Sequence, residues 1–340
     1  MYGPLNYRPI SLNSVCSKVM ERVVVKKLMK FLDDNCILSV EQYGFRPGRS
    51  VEDQLLVTYS EVSKWIDCGH CVDVVLFDFS KAFDRVCHSV LIDKLYAIGV
   101  RGCLLAWLMS FLSGRSMRVS VSGSFSGLKS VTSGVPQGSV LGPLLFLIYV
   151  NDLPFHIRSK CKVFADDFKI YLSAKLTNPV EATLHVLNCQ RDINTLIDVS
   201  RSWGLEMNVD KCSVMRFQRK FFDWDLLGVL GCYYIEDSPI SFAADHKDLG
   251  VLVDNNLKFH KHIQCITNKA GGMASNFLRS TVCRSREFML SLYITHIRPL
   301  IEFSSCVWNT GYVGDLKLLE SVQRRWTRHI EGLENVNYSD

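Results

Sequence analysis

Four apolar residues in a row, Val74-Val75-Leu76-Phe77, run directly into a carboxylate at Asp78. Such a run reads as a strand covered on both faces, over Val72–Phe79, with the acid near its end. A second acidic element lies further on. Asp166 and Asp167 are adjacent, between Val163-Phe164-Ala165 and Phe168-Lys169-Ile170. Apolar arms around two charges predict a hairpin over Lys162–Leu172 with the acids at its turn. One aspartate at a turn means little, because its side chain caps local backbone groups. Two like charges in a partly buried place repel, and a divalent cation removes that cost. Carboxylates together with phosphate oxygens suit Mg²⁺. Three carboxylates on two neighbouring strands would hold a metal pair of the kind that serves phosphoryl transfer.

The remaining pattern interleaves strands and helices without a regular βαβ alternation, which argues an α+β fold. Helical spacing runs through Ile10–Leu32, where Leu12, Val15, Val19, Val23, Leu28 and Leu32 recur. Val51–Trp65 reads as a helix. Ser80 is a candidate N-cap for a helix reaching Ile98, with Gly99 as its stop. Arg115–Val121 and Gly127–Thr132 read as paired strands, and Ser139–Leu153 as an apolar helix. Cys212–Phe217 and Leu249–Val253 are strand-like, and the pattern is helical after about residue 255. Cys68-Gly69-His70-Cys71 precedes a strand rather than a helix and has no second cysteine pair, so it reads as a tight turn and not as a redox or zinc motif. Thirteen scattered cysteines suit reduced thiols. No segment reaches the roughly 18 apolar residues of a membrane span. The start of the chain lacks the pattern of a signal peptide, which makes an intracellular protein, nuclear or cytoplasmic, the expectation.

Ordered blocks carry a specific resemblance. They are Asn6-Tyr-Arg-Pro-Ile-Ser-Leu12, Gln42-Tyr-Gly-Phe-Arg-Pro-Gly-Arg-Ser50, Phe77-Asp-Phe-Ser-Lys-Ala-Phe-Asp84, Ser133-Gly-Val-Pro-Gln-Gly-Ser-Val-Leu-Gly-Pro143, Phe164-Ala-Asp-Asp167, Trp203-Gly-Leu-Glu-Met-Asn208 with Lys211, and His246-Lys-Asp-Leu-Gly250. In this order the chain resembles the reverse transcriptases of non-LTR (LINE-like) retrotransposons. The resemblance implies a right-hand polymerase with fingers, a ferredoxin-like antiparallel palm sheet and a helical thumb. It implies fingers and palm over residues 1–254, with the palm core at about 71–84 and 131–254, and a basic helical thumb over 255–340. Asp78, Asp166 and Asp167 match the family's carboxylates for two Mg²⁺ ions, or Mn²⁺. Phe83 resembles a sugar gate, and Gln137 a nucleotide-contacting glutamine. Arg8 and Arg46 resemble nucleotide-binding residues, and Arg49 matches a loop that the family places near the template. Lys211 resembles a general acid for the leaving pyrophosphate. Gly250, after Leu249, resembles the turn that supports the primer end, with a bulge as the plain alternative.

The implied reaction is RNA-directed DNA synthesis from dNTPs, on an RNA template with a DNA primer. Rival readings are a group II intron maturase, an RNA-dependent RNA polymerase and a catalytically inactive nucleic-acid-binding relic. Only five residues precede Asn6, so a truncated copy without the endonuclease is the expectation. Charge supports a duplex partner. Residues 1–254 hold 28 Lys+Arg against 27 Asp+Glu, whereas residues 255–330 hold 11 against 4. Lys258, Lys261, Lys269, Arg279, Arg284, Arg286, Arg324, Arg325 and Arg328 are candidates for phosphate contacts. His260 and His262 read as part of this polar surface.

Overall fold

The computed structural model describes residues 10–219, 222–333 and 336. At its centre is the strand the apolar run predicts, β1 (Cys71–Phe77), in which every residue is buried. Strands β2 (Lys160–Phe164) and β3 (Asp167–Ala174) form the acidic hairpin, followed by β4 (Ser213–Phe217) and a short β5 (Ser241–Phe242). The sheet order is β5-β4-β1-β3-β2, with β1 antiparallel to both β3 and β4. A separate hairpin, β6 (Asp245–Asp248) and β7 (Val251–Asp254), follows. Successive side chains of β1 point to opposite faces. Val75 and Phe77 join one core with Leu28, Leu145, Phe146 and Ile193, while Val72, Val74 and Leu76 join another with Tyr59, Phe217 and Trp308. Burial on both faces is why the run is continuous rather than alternating.

The helices that cover the sheet are α1 (Val15–Asp34), α2 (Val51–Asp67), α3 (Ala82–Arg85), α4 (His88–Ala97), α5 (Gly102–Leu112), α6 (Gly142–Val150) and α7 (Pro179–Ser202). Each of α1, α2 and α7 starts at a side-chain cap, on Ser14, Ser50 and Asn178; Ser50 and Asp53 form a reciprocal capping box. The remaining helices are α8 (His260–Ser280), α9 (Arg286–Leu292), α10 (Arg298–Glu302), α11 (Ser305–Trp308) and α12 (Val313–Thr327), with a π-helical turn, Tyr293–Ile297, joining α9 to α10. They enclose a third core around Ala270, Met289, Ile297 and Trp326.

The structure corrects several expectations. The helix predicted from Ser80 to Ile98 is broken. Lys81, not Ser80, precedes α3 in a left-handed conformation, and Val86 and Cys87 are extended between α3 and α4. The helix predicted over Ser139–Leu153 is shorter, because Ser139 folds back to accept the Gly142 N–H. Paired strands over 115–132 reduce to two-residue pairs, Ser116–Met117 with Lys129–Ser130 and Ser120–Val121 with Ser124–Phe125. Leu249 and Gly250 form the turn between β6 and β7 rather than part of a strand or a bulge. The Ile10–Leu32 stripe is only half a core: Leu28 and Leu32 are buried, but Leu12, Val15, Val19 and Val23 face solvent. His262 is buried, not superficial. Its Nδ1 accepts the Leu252 N–H, its ring packs against Trp308, and burial lowers its pKa to about 4. No helix among the described residues is long and apolar enough to cross a membrane.

Candidate active site

Phe77 on β1 lies opposite Phe168 on β3. One residue beyond this pair, the antiparallel register sets Asp78 beside Asp167 at the same end of the sheet. Asp166 occupies the β2–β3 turn, after Ala165 at φ 57°. Asp78 and Asp167 open on a cleft of about 310 Å³, lined also by Lys169, Lys211, His246 and Asp248 among others. Asp167 keeps an exposed surface, yet the protein around its carboxyl and the charges of Asp166, Asp248 and Asp78 push its pKa up to about 6. A bound cation would relieve this repulsion. Lys211 Nζ is 3.7 Å from Asp78 Oδ2, on an otherwise exposed side chain. Backbone pairing brings the Trp203–Asn208 segment to the same place: Asn208 N–H donates to the Asp78 carbonyl at 2.8 Å, and Ser80 N–H to that of Glu206 at 2.8 Å.

Beneath the cleft is a pair that sequence reasoning missed. Lys169 and Asp248 are buried and form an ion pair, and Tyr59 Oη donates to Asp248 at 2.7 Å. Burial, reinforced by Asp248, raises the Tyr59 pKa well above its usual value. The pair ties the β6–β7 hairpin to strand β3. Its signal was present: a lysine inside Phe168-Lys169-Ile170-Tyr171 points a charge into a core and requires a carboxylate there.

The loop Gln42–Ser50 is built onto the acidic hairpin. Tyr43 N–H donates to the Val163 carbonyl at 2.8 Å, and Val163 N–H to that of Glu41 at 2.9 Å. The buried Gln42 Oε1 accepts from both Gly44 N–H (2.8 Å) and Ala165 N–H (3.1 Å). Gly44 must be glycine here, since a Cβ would lie 2.4 Å from the Ala165 nitrogen. Arg46 is turned to its own chain, donating to the Ser39 carbonyl at 2.8 Å with Asp33 at 3.7 Å. Arg49 donates to the Val40 carbonyl at 3.0 Å and lies over the Tyr43 ring. Neither arginine lines the acidic cleft.

Gln137 Nε2 donates to Asp84 Oδ1 at 2.9 Å, next to Phe83. The two segments are laced together by the Gly134 and Val135 N–H groups, which donate to the Val86 and Phe83 carbonyls at 2.8 Å each. Gly134, at φ 86°, leaves no room for a Cβ against the Asp84 backbone. The buried Glu21 carboxylate accepts from Val140 and Leu141 N–H at 2.7 and 3.0 Å, capping α6 from α1. Gly250 packs against Phe303. Lys258 is exposed, whereas Lys261 is paired with Asp245. Arg8 lies outside the described residues.

A second group of metal-ligand type is buried between β1 and α7. Ligand atoms of Cys71, Asp73 and His185 lie within 4.8 Å of one another. Arg216 already fills the role of the cation, donating two 2.7 Å hydrogen bonds to Asp73, while Tyr233 Oη and His185 engage the same carboxylate. Burial alone would raise the Asp73 pKa; Arg216 and His185 overturn this and hold it well below the usual range. In this core network the Asp73 carboxylate is fully engaged, while His185 Nδ1 has no hydrogen-bond partner among the described residues.

A family model described as reverse transcriptase (RNA-dependent DNA polymerase) matches residues 3–242. The chain is 27% identical over 97% of its length to a probable RNA-directed DNA polymerase from transposon X-element of Drosophila melanogaster. It is 28% identical over 96% of its length both to the corresponding protein of transposon BS from the same organism and to the RNA-directed DNA polymerase from mobile element jockey of Drosophila funebris. The chain spans 36% of the length of each of these relatives. An apo telomerase structure from Candida tropicalis aligns with a TM-score of 0.49 at 12% identity, over 93% of this chain and 52% of that one, a likeness that carries no functional argument.

Proposed function

Because this chain belongs to the reverse transcriptase (RNA-dependent DNA polymerase) family, on its non-LTR retrotransposon branch, we propose that it is the polymerase core of an RNA-directed DNA polymerase. In this reading residues 1–254 are fingers and palm and residues 255–340 the thumb. The observation that carries it is the convergence of Asp78 with Asp166 and Asp167 at one end of paired strands, with an Asp167 pKa raised by burial and by the neighbouring carboxylates. The donor set, three carboxylates and no thiol or imidazole, fits hard oxygen-seeking ions such as Mg²⁺. Bound there, two such ions would activate the primer 3′-oxygen and stabilise the leaving pyrophosphate.

The chain's own residues would do the rest. Asp78, Asp166 and Asp167 hold the ions. Lys211 protonates the pyrophosphate after leaving Asp78. Phe83 bars a ribose 2′-hydroxyl, and Gln137, oriented by Asp84, contacts the nucleotide. Arg8 and Arg46 bind the triphosphate, which for Arg46 requires release from Ser39. Arg49, Gly250, Lys258 and Lys261 face the RNA template and DNA primer. Primer extension on poly(rA)/oligo(dT) tests the assignment: Asp166→Asn is expected to abolish extension with the fold intact by circular dichroism. Extension by that variant at the wild-type rate would refute it.

A further inference from the structure

The ring of the gate residue Phe83 is held from two sides. Phe146 of α6, itself fully buried, stacks on its face with centroids 4.3 Å apart and planes 15° from parallel. Phe45 stands edge-on to it at 6.3 Å and 87°. The Phe83 carbonyl is fixed as well, accepting from Val135 N–H.

Phe146 belongs to the core, so its place follows from packing. Phe45 needs another explanation. The residue is 49% exposed, so its burial returns little hydrophobic stabilisation. Its backbone is left-handed, at φ 53°, a conformation that bulky side chains adopt at a cost. The neighbouring contacts impose this shape: Gly44 is pressed against Ala165, and Arg46 is tied to Ser39. A strained, exposed aromatic held edge-on to another aromatic has a geometry that sequence-local forces do not favour, and such outliers gather at functional sites.

We propose that Phe45 is a specificity-determining residue, whose ring edge keeps Phe83 in the orientation that excludes a ribose 2′-hydroxyl. The inference rests on the gate reading of Phe83 given above. Phe45 acts through its contact with Phe83, as a positioning residue. Without it the Phe83 ring can swing toward the loop and make room.

The test is single-nucleotide extension by the full chain on poly(rC)/oligo(dG), comparing kcat/KM for dGTP with that for GTP. Phe45→Ala is expected to lower this ratio about tenfold, more than it lowers the dGTP value itself, and Phe45→Tyr to preserve it. Phe83→Val, the control, is expected to lose the preference. A wild-type ratio in Phe45→Ala beside a collapsed ratio in Phe83→Val overturns the proposal and leaves the gate standing. A wild-type ratio in Phe83→Val removes the gate and the proposal together. Should Phe45→Ala lose dGTP incorporation altogether, Phe45→Leu decides, and an unchanged ratio in that variant also overturns the proposal.

Discussion

The carboxyl of Asp167 titrates near pH 6 because burial and three neighbouring carboxylates disfavour its charge. An acid with a raised pKa binds its proton more tightly folded than unfolded. Its contribution therefore falls as pH rises from about 4 to about 6, and the folded state stays less stable above that range. Asp167→Asn should accordingly raise stability at pH 7.5 in EDTA, by about 1 kcal/mol once solvent screening of the exposed side is allowed for, while abolishing extension. Thermal unfolding with and without Mg²⁺ checks the first half, since the wild type alone should gain from the ion, and primer extension checks the second. Asp78, Asp166 and Asp167 were legible in the sequence because each interrupts or ends an apolar run. Lys169 was legible only as an oddity, because its partner Asp248 comes from a different hairpin. Gln42 and Phe45 gave no local sign. Their roles arise from contacts with Ala165 and Phe83, remote in the chain.

Elements were read well where hydrophobic spacing and caps agree, as in α2 with its Ser50–Asp53 box. They were misread where a distant partner decides. Val86 continues the helical spacing of its neighbours, yet its carbonyl is taken by Gly134 N–H and the Cys87 N–H by Tyr149 Oη at 3.2 Å, so the helix breaks there. Helix α6 is a further case. The Val140 and Leu141 N–H groups that lead into it meet a carboxylate from α1, while Ser139 of the same segment takes the Gly142 N–H. Glu21→Ala should leave Val140 and Leu141 N–H unpaired in a buried place and destabilise the fold by about 2 kcal/mol. Urea denaturation reads this directly, and Glu21→Gln, which keeps an acceptor, should cost less.

At the scale of the whole chain, the boundary near residue 254 is a change of charge and of secondary structure, not a gap in packing. Phe259, Ile263 and Trp308 share a core with Val72 and Val74 of the central strand. The basic helices are thus joined firmly to the sheet, and their lysines have unequal freedom. Lys258 is exposed, while Lys261 is held by Asp245. If both face a duplex, Lys258→Ala should reduce the slope of log affinity against log salt by about 0.9, and Lys261→Ala by less, as measured by fluorescence anisotropy across a salt series. The contact of Gly44 with Ala165 has a consequence at this scale too. It locks the arginine-bearing loop to the turn that carries Asp166, so the two travel as one block. Any rearrangement of the molecule that spares this contact must hinge outside both segments. A side chain at Gly44 would displace the loop and the acidic turn at once.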